Sequence, residues 1–206
     1  MEEIRKAGEE YNAKDIYNID EIGYYWKIKP NWSLSTLETS GKKMDKARIT
    51  AALTCNATGT HRLPIWYIGT ACRPNCFRAE GLSTLDHLGA FWRYNKTAWM
   101  NHHIMKEYLC WFNNQMRIKG KKALLLMDNF SAHELSVELM EEAKELTHTK
   151  VMWLPPNATS IYQPLDQGII QNWKSYVKKQ FVIFIASTFD QGKDLSKEIY
   201  ILQAVC

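Results

Sequence analysis

The order of apolar patterns predicts an α/β protein built on a five-stranded mixed sheet, three antiparallel strands followed by two parallel ones, with helices flanking it. Three observations carry this. A continuous apolar run, Ala123 to Met127, ends abruptly in Asp128 and Asn129, as a strand buried on both faces does. Three strand-like segments come first, with no helical pattern among them. After them helix and strand alternate, which is how parallel strands are joined.

Met1 to Lys14 is polar and reads as a short helix or arm. Ile16 to Glu21 alternates like a strand, with Ile16, Asn18 and Asp20 on one face. Gly23 suggests a bend before the strand resumes at Tyr24 to Trp26. Ile49–Cys55 and Leu63–Ile68 form a hairpin around Asn56-Ala57-Thr58-Gly59-Thr60. Pro64 marks a strand start or an edge. Residues 69–96 read as irregular. From Thr97 to Arg117, Ile104, Tyr108, Phe112 and Met116 recur every four residues, and Gly120 stops that helix. Ser131 to Glu134 fits a capping box opening a second helix. Its apolar stripe would be Leu135, Leu139, Ala143 and Leu146. Val151–Leu154 is another buried strand, halted by Pro155 and Pro156. Pro164 suits the first turn of a helix whose stripe is Ile170, Trp173, Val177 and Phe181. A last helix is expected from about Ser196.

At 206 residues the chain is long enough for one domain with a real core. Apolar residues make up 46% and charged residues 23%, ordinary for a globular protein. The net charge of +4 permits a polyanionic partner without demanding one. Five cysteines form no even framework, which points to reduced thiols. No apolar run of about 18 residues exists, so no membrane span is expected. The charged first 20 residues lack a signal core.

Three carboxylates stand out by position. Asp20 is on the first strand, Asp128 ends the fourth, and Asp166 opens the helix after the fifth. Chemistry in open α/β sheets gathers at the carboxyl ends of strands. Taken alone, Asp128 is either a metal ligand or a strand-ending cap. If the first and fourth strands are neighbours, Asp20 and Asp128 meet and Asp166 can close the triangle. Clustered carboxylates repel and call for divalent cations. Two ions about 3.5–4 Å apart can serve phosphodiester cleavage or strand transfer.

The segments Tyr17-Asn18-Ile19-Asp20-Glu21-Ile22-Gly23, Leu126-Met127-Asp128-Asn129-Phe130-Ser131-Ala132-His133 and Leu154-Pro155-Pro156-Asn157-Ala158-Thr159-Ser160 resemble the DDE-type transposase domain of the pogo/Tigger family. Gln163-Pro164-Leu165-Asp166-Gln167-Gly168-Ile169-Ile170 is similar to that family's third-acid motif. The resemblance runs from about residue 10 to 185. It implies a ribonuclease H-like fold, with Asp20, Asp128 and Asp166 as catalytic metal ligands for two Mg²⁺ ions, Mn²⁺ substituting. It implies double-stranded DNA as substrate, a nuclear location, a homodimer as candidate assembly, and no small-molecule cofactor. The family's N-terminal DNA-binding domains are absent from residues 1–206, and the terminal helix looks truncated. The family also includes domesticated proteins, among them centromere protein B, so a DNA- or chromatin-binding protein that kept the fold without the chemistry is the rival reading.

Lesser candidates each carry two readings. Glu21 points away from Asp20 in a regular strand and is either structural or a support for the site. Asn129 can contact substrate or shape a turn. His133 can touch a phosphate or cap its helix. Gln163 and Gln167 flank the third acid. Lys42, Lys43, Lys46, Arg73, Arg78, Lys174 and Lys178 are candidate phosphate contacts, or simply a solvated surface.

Overall fold

The strand that carries Asp20 holds the two halves of the sheet together. The computed structural model describes residues 2–26, 47–128, 131–155 and 163–193. In chain order they form α1 (Glu2–Glu9), β1 (Ile16–Tyr25), β2 (Arg48–Asn56), β3 (Ile65–Gly69), α2 (Asn75–Ala79), β4 (Ala90–Tyr94), α3 (His102–Ile118), β5 (Ala123–Met127), α4 (Ser131–Glu142) and β6 (Thr149–Trp153). A π-turn over Leu165–Ile169 then leads into α5 (Ile170–Asp190). The strand order is β4-β3-β2-β1-β5-β6. β1 pairs antiparallel with β2 and parallel with β5, so the hairpin half and the parallel half meet on it.

The α/β class and mixed sheet are as expected, but the sheet has six strands where five were expected. The extra strand is β4, within the stretch read as irregular, and it lies parallel to β3. Its five residues, Ala90 to Tyr94, do not alternate in polarity because aromatics face both ways. Phe91 packs toward Trp66 and Trp111, whereas Trp92 meets Phe77. β1 also runs through Gly23 without a break. A Cβ there would sit 2.8 Å from the Arg48 guanidinium, so this glycine makes room for a side chain rather than a bend.

Both sheet faces are covered. On one, Tyr17, Ile19, Leu125 and Met127 bury against Met105, Tyr108 and Phe112 of α3. On the other lie three apolar clusters, one of them Ile49, Ala51 and Tyr67 with Phe77 and Leu85. Ala7 of α1 covers Leu124 and Leu126, while Leu165 and Ile170 cover Ile22, Leu53 and Cys55. Asn18 and Asp20 run along β1 between these last two. No helix among the described residues is long and apolar enough to cross a membrane. The helix expected from Ser196 lies outside the described residues.

The stripe expected on α4 is a second correction. Leu135 and Leu139 are 43% and 44% exposed, while Val137 and Met140 are buried. The sequence offers two apolar rows, and packing against α3 selects the second. Ser136 seals it, its hydroxyl donating to the His102 carbonyl at 2.9 Å. Met140→Ala should therefore cost about 2–5 kcal/mol, and Leu139→Gln about 0.5 kcal/mol or less, in urea unfolding. Equal losses would place the wrong row inward.

Candidate active site

β1 and β5 lie side by side in parallel, with Ile16 opposite Leu124 and Asn18 opposite Leu126. Asp20 and Asp128 each stand two residues beyond that last pair. They therefore reach the same end of the sheet, and the strand period puts them on the same face. β5 is buried throughout, which holds the backbone leading to Asp128. Asp20 and Asp128 are half-buried, and Asp166 is exposed.

Asp166 is brought to that end by Asn18, whose side chain is buried. Its amide nitrogen donates to the Leu126 carbonyl at 3.1 Å and to the Ile19 carbonyl at 3.2 Å. Its amide oxygen accepts from the Leu165 backbone N–H at 3.1 Å. One side chain thus ties β1, β5 and the turn carrying Asp166. The turn itself is irregular. The Ile170 N–H reaches back five residues to the Leu165 carbonyl, and Gly168 takes φ 102°. That left-handed conformation is one glycine adopts at little cost. It lets the chain settle Leu165 into the core and still leave Asp166 in the open.

The electrostatics report the proximity of these groups. The Asp20 carboxyl is pushed up to about 7, first by burial, then by the charges of Glu21 and Asp166. Asp128 adds to the rise, and the 2.8 Å hydrogen bond from the Glu21 N–H partly offsets it. Oxygen donors that repel one another match the chemistry of a divalent cation such as Mg²⁺. Among the described residues no three His, Cys, Asp or Glu side chains are already drawn round one ion position. The residues fit a hard cation in donor type and charge.

Residues 46–206 match the family described as DDE superfamily endonuclease. The chain belongs to this family. The matched stretch of the DDE endonuclease domain includes Asp128 and Asp166, while Asp20 precedes it. The whole chain is also 40% identical, over 206 residues, to CENP-B homolog protein 2 of Schizosaccharomyces pombe, covering 40% of that protein. It is 30% identical over 200 residues to human Tigger transposable element-derived protein 7, with 86% of this chain and 35% of that protein covered. The chain thus spans about two fifths of the length of these relatives. Its fold is that of the Mos1 transposase, which is ribonuclease H-like. The TM-score is 0.52 against the Mos1 strand transfer complex, at 12% identity, covering 98% of this chain and 54% of that one. Against the paired-end complex with left transposon end it is 0.51, at 10% identity, covering 84% and 45%.

In this DDE domain the lesser candidates separate. Glu21 lies on the α3 face, where its charge is felt at Tyr108, away from Asp128 and Asp166. Gln163 is 1% exposed, and among the described residues neither atom of its side-chain amide has a hydrogen-bond partner, although its backbone carbonyl accepts from the Asp166 N–H at 3.1 Å. Gln167 is exposed. Arg73 is spent locally, its guanidinium donating twice to the Leu82 carbonyl. Arg78, Lys174 and Lys178 are exposed, on α2 and α5. Lys42, Lys43, Lys46, Asn129 and the side chain of His133 lie outside the described residues. Sequence reading noted Asn18 only as sharing a face with Asp20 and missed its anchoring role. The available signal was an amide on the face that carries Asp20, flanked in sequence by Tyr17 and Ile19.

Two predictions follow from this geometry. An acid whose folded pKa of about 7 exceeds its usual 3.8 favours folding while protonated. That contribution is complete below the ordinary value and is lost as pH rises through 7. In EDTA, Asp20→Asn should gain stability over wild type as pH rises from about 4 to about 8, by up to about 4 kcal/mol in all. A pH-independent difference would show that Asp20 is ordinarily acidic. Asn18→Ala removes three hydrogen bonds and strands the Leu165 N–H, so chemical unfolding should register a loss of about 2–4 kcal/mol. A loss below about 0.5 kcal/mol would show that the amide anchors nothing.

Proposed function

We propose that the chain is the catalytic domain of a metal-dependent DNA endonuclease or strand-transfer enzyme of the transposase kind. Asp20, Asp128 and Asp166 would hold two Mg²⁺ ions, or Mn²⁺ in their place. The observation that carries this is the half-buried Asp20 carboxyl at the carboxyl end of the central strands, raised first by burial, then by the charges of Glu21 and Asp166, with a smaller contribution from Asp128. A fold that keeps mutually repelling acids together stands to gain from a cation there. When bound, such ions supply charge neutralisation at the scissile phosphate and acidify the attacking water or 3′-hydroxyl.

The chain's own residues would orient and anchor. Asp128 rides on a strand buried on both faces and is the most rigidly carried of the three. Asp20 approaches from the neighbouring strand. Asp166, on the glycine-kinked turn, is aligned by Asn18 through Leu165. Exposed Lys174 and Lys178 would meet the DNA backbone, and such contacts carry affinity and salt dependence rather than sequence. Double-stranded DNA as substrate, a nuclear location and a homodimer belong to the same proposal.

The relatives named for CENP-B support a second reading, a chromatin protein that binds DNA through this fold without cutting it. Mn²⁺-dependent nicking of supercoiled plasmid separates the two. Wild type should nick, and Asp128→Asn should lose at least about 100-fold while remaining folded, because a rigidly placed ligand acts on the transition state. Lys174→Ala and Lys178→Ala should weaken binding yet leave nicking at low salt. Equal nicking by Asp128→Asn refutes the catalytic assignment. Binding without nicking in wild type favours the second reading.

A further inference from the structure

Near the end of the sheet where Asp20 and Asp128 lie, on its α3 face, the chain holds one tryptophan out into solvent. Trp99 is 51% exposed, although its neighbours Ala98 and Met100 are buried. Ala98 takes φ 56°, a left-handed conformation that a residue with a Cβ rarely adopts. Two hydrogen bonds hold the segment there. The Thr50 hydroxyl donates to the Ala98 carbonyl at 2.7 Å, and the Asn95 amide donates to the Trp99 carbonyl at 2.6 Å. Backbone strain of this kind persists only where the surroundings enforce it, and it gathers at functional sites.

The indole is also backed by a charge. The Arg48 guanidinium carbon lies 3.6 Å from the Trp99 ring centroid. Its other side is against Gly23, where any Cβ would collide with it. The guanidinium therefore lies close to both the Gly23 backbone and the indole, and the indole is half exposed. Arg48 pairs with Tyr25, five residues beyond Asp20 on β1 and so about 16 Å further along the strand.

We propose that Trp99, seated on Arg48, is a stacking platform for an unpaired DNA base, set on the opposite sheet face from the acids and some way along the strand from them. The inference rests on DNA being the substrate but not on cleavage. A base within a duplex has both faces covered by its neighbours. A base in a frayed end or single-stranded overhang has a free face, which an exposed indole can cover whatever the base's identity. The guanidinium behind the ring adds positive charge where the adjoining phosphates would run.

The test uses the full 206-residue chain in EDTA, so that no chemistry intervenes. Fluorescence anisotropy would compare a blunt duplex with the same duplex carrying a short overhang with 2-aminopurine as its first unpaired base. Wild type should prefer the overhang about ten-fold and quench the 2-aminopurine on binding. Trp99→Ala should bring the preference to about one and abolish the quench, whereas Trp99→Phe should keep part of both. Arg48→Lys, which retains charge but not the planar backing, should lower the preference. An overhang preference and quench undiminished in Trp99→Ala would overturn the platform, as would a wild type that binds both duplexes equally. A wild type that binds neither would overturn DNA as substrate as well. Overhang preference lost with Trp99, in a chain that never nicks plasmid, would uphold the platform and reject the endonuclease reading.

Discussion

The three hydrogen bonds of the Asn18 side chain are the interaction on which the arrangement of acids depends. A buried amide is costly unless its donors and acceptor are used, and here all three bonds go to backbone groups. They belong to parts of the chain far apart in sequence: the centre of β1, the end of β5 and the turn before α5. An apolar residue of similar size would fill the space without specifying the register of the third element. Because an apolar residue would strand the Leu165 N–H, the amide contributes stability as well as alignment.

That alignment works against the electrostatics of the site. Burial and neighbouring negative charges lift the Asp20 carboxyl to about 7, so at higher pH the cation-free fold carries a destabilising charge. The rest of the sheet compensates. The α3 face is packed with aromatic and aliphatic side chains, and β5 is buried on both faces. The irregular backbone and the half-buried polar groups occur where the strands end, away from this core. Gly168, Ala98 and the π-turn are departures from regular geometry that the packed sheet can sustain.

Much of this was legible in the residues themselves. The run Ala123–Met127 had to be a buried strand, because four large apolar side chains in succession have no solvent face to offer. Its abrupt end at Asp128 marked the carboxyl edge, and Pro164 marked the entry to the last described helix. β4 was not legible, because Phe91 and Trp92 are apolar on both faces of a short strand and so show no period of two. The α4 stripe was misread for a related reason. Its sequence holds two apolar rows, and nothing within the helix says which one α3 will cover.

The sequence by itself determined the class of fold and the order of its elements apart from β4, and it singled out Asp20, Asp128 and Asp166 as candidates. These follow from local patterns, where side-chain period and chain-breaking residues act over a few positions. Only the tertiary structure decided that β1 lies between β2 and β5, that Asn18 joins Asp20's strand to Asp166's turn, and that Gly23 makes room for the arginine behind Trp99. Each of these depends on residues 23 to 147 positions apart meeting in space. Contacts at that range leave no periodic trace in the chain and are settled by packing and hydrogen bonding in the folded protein.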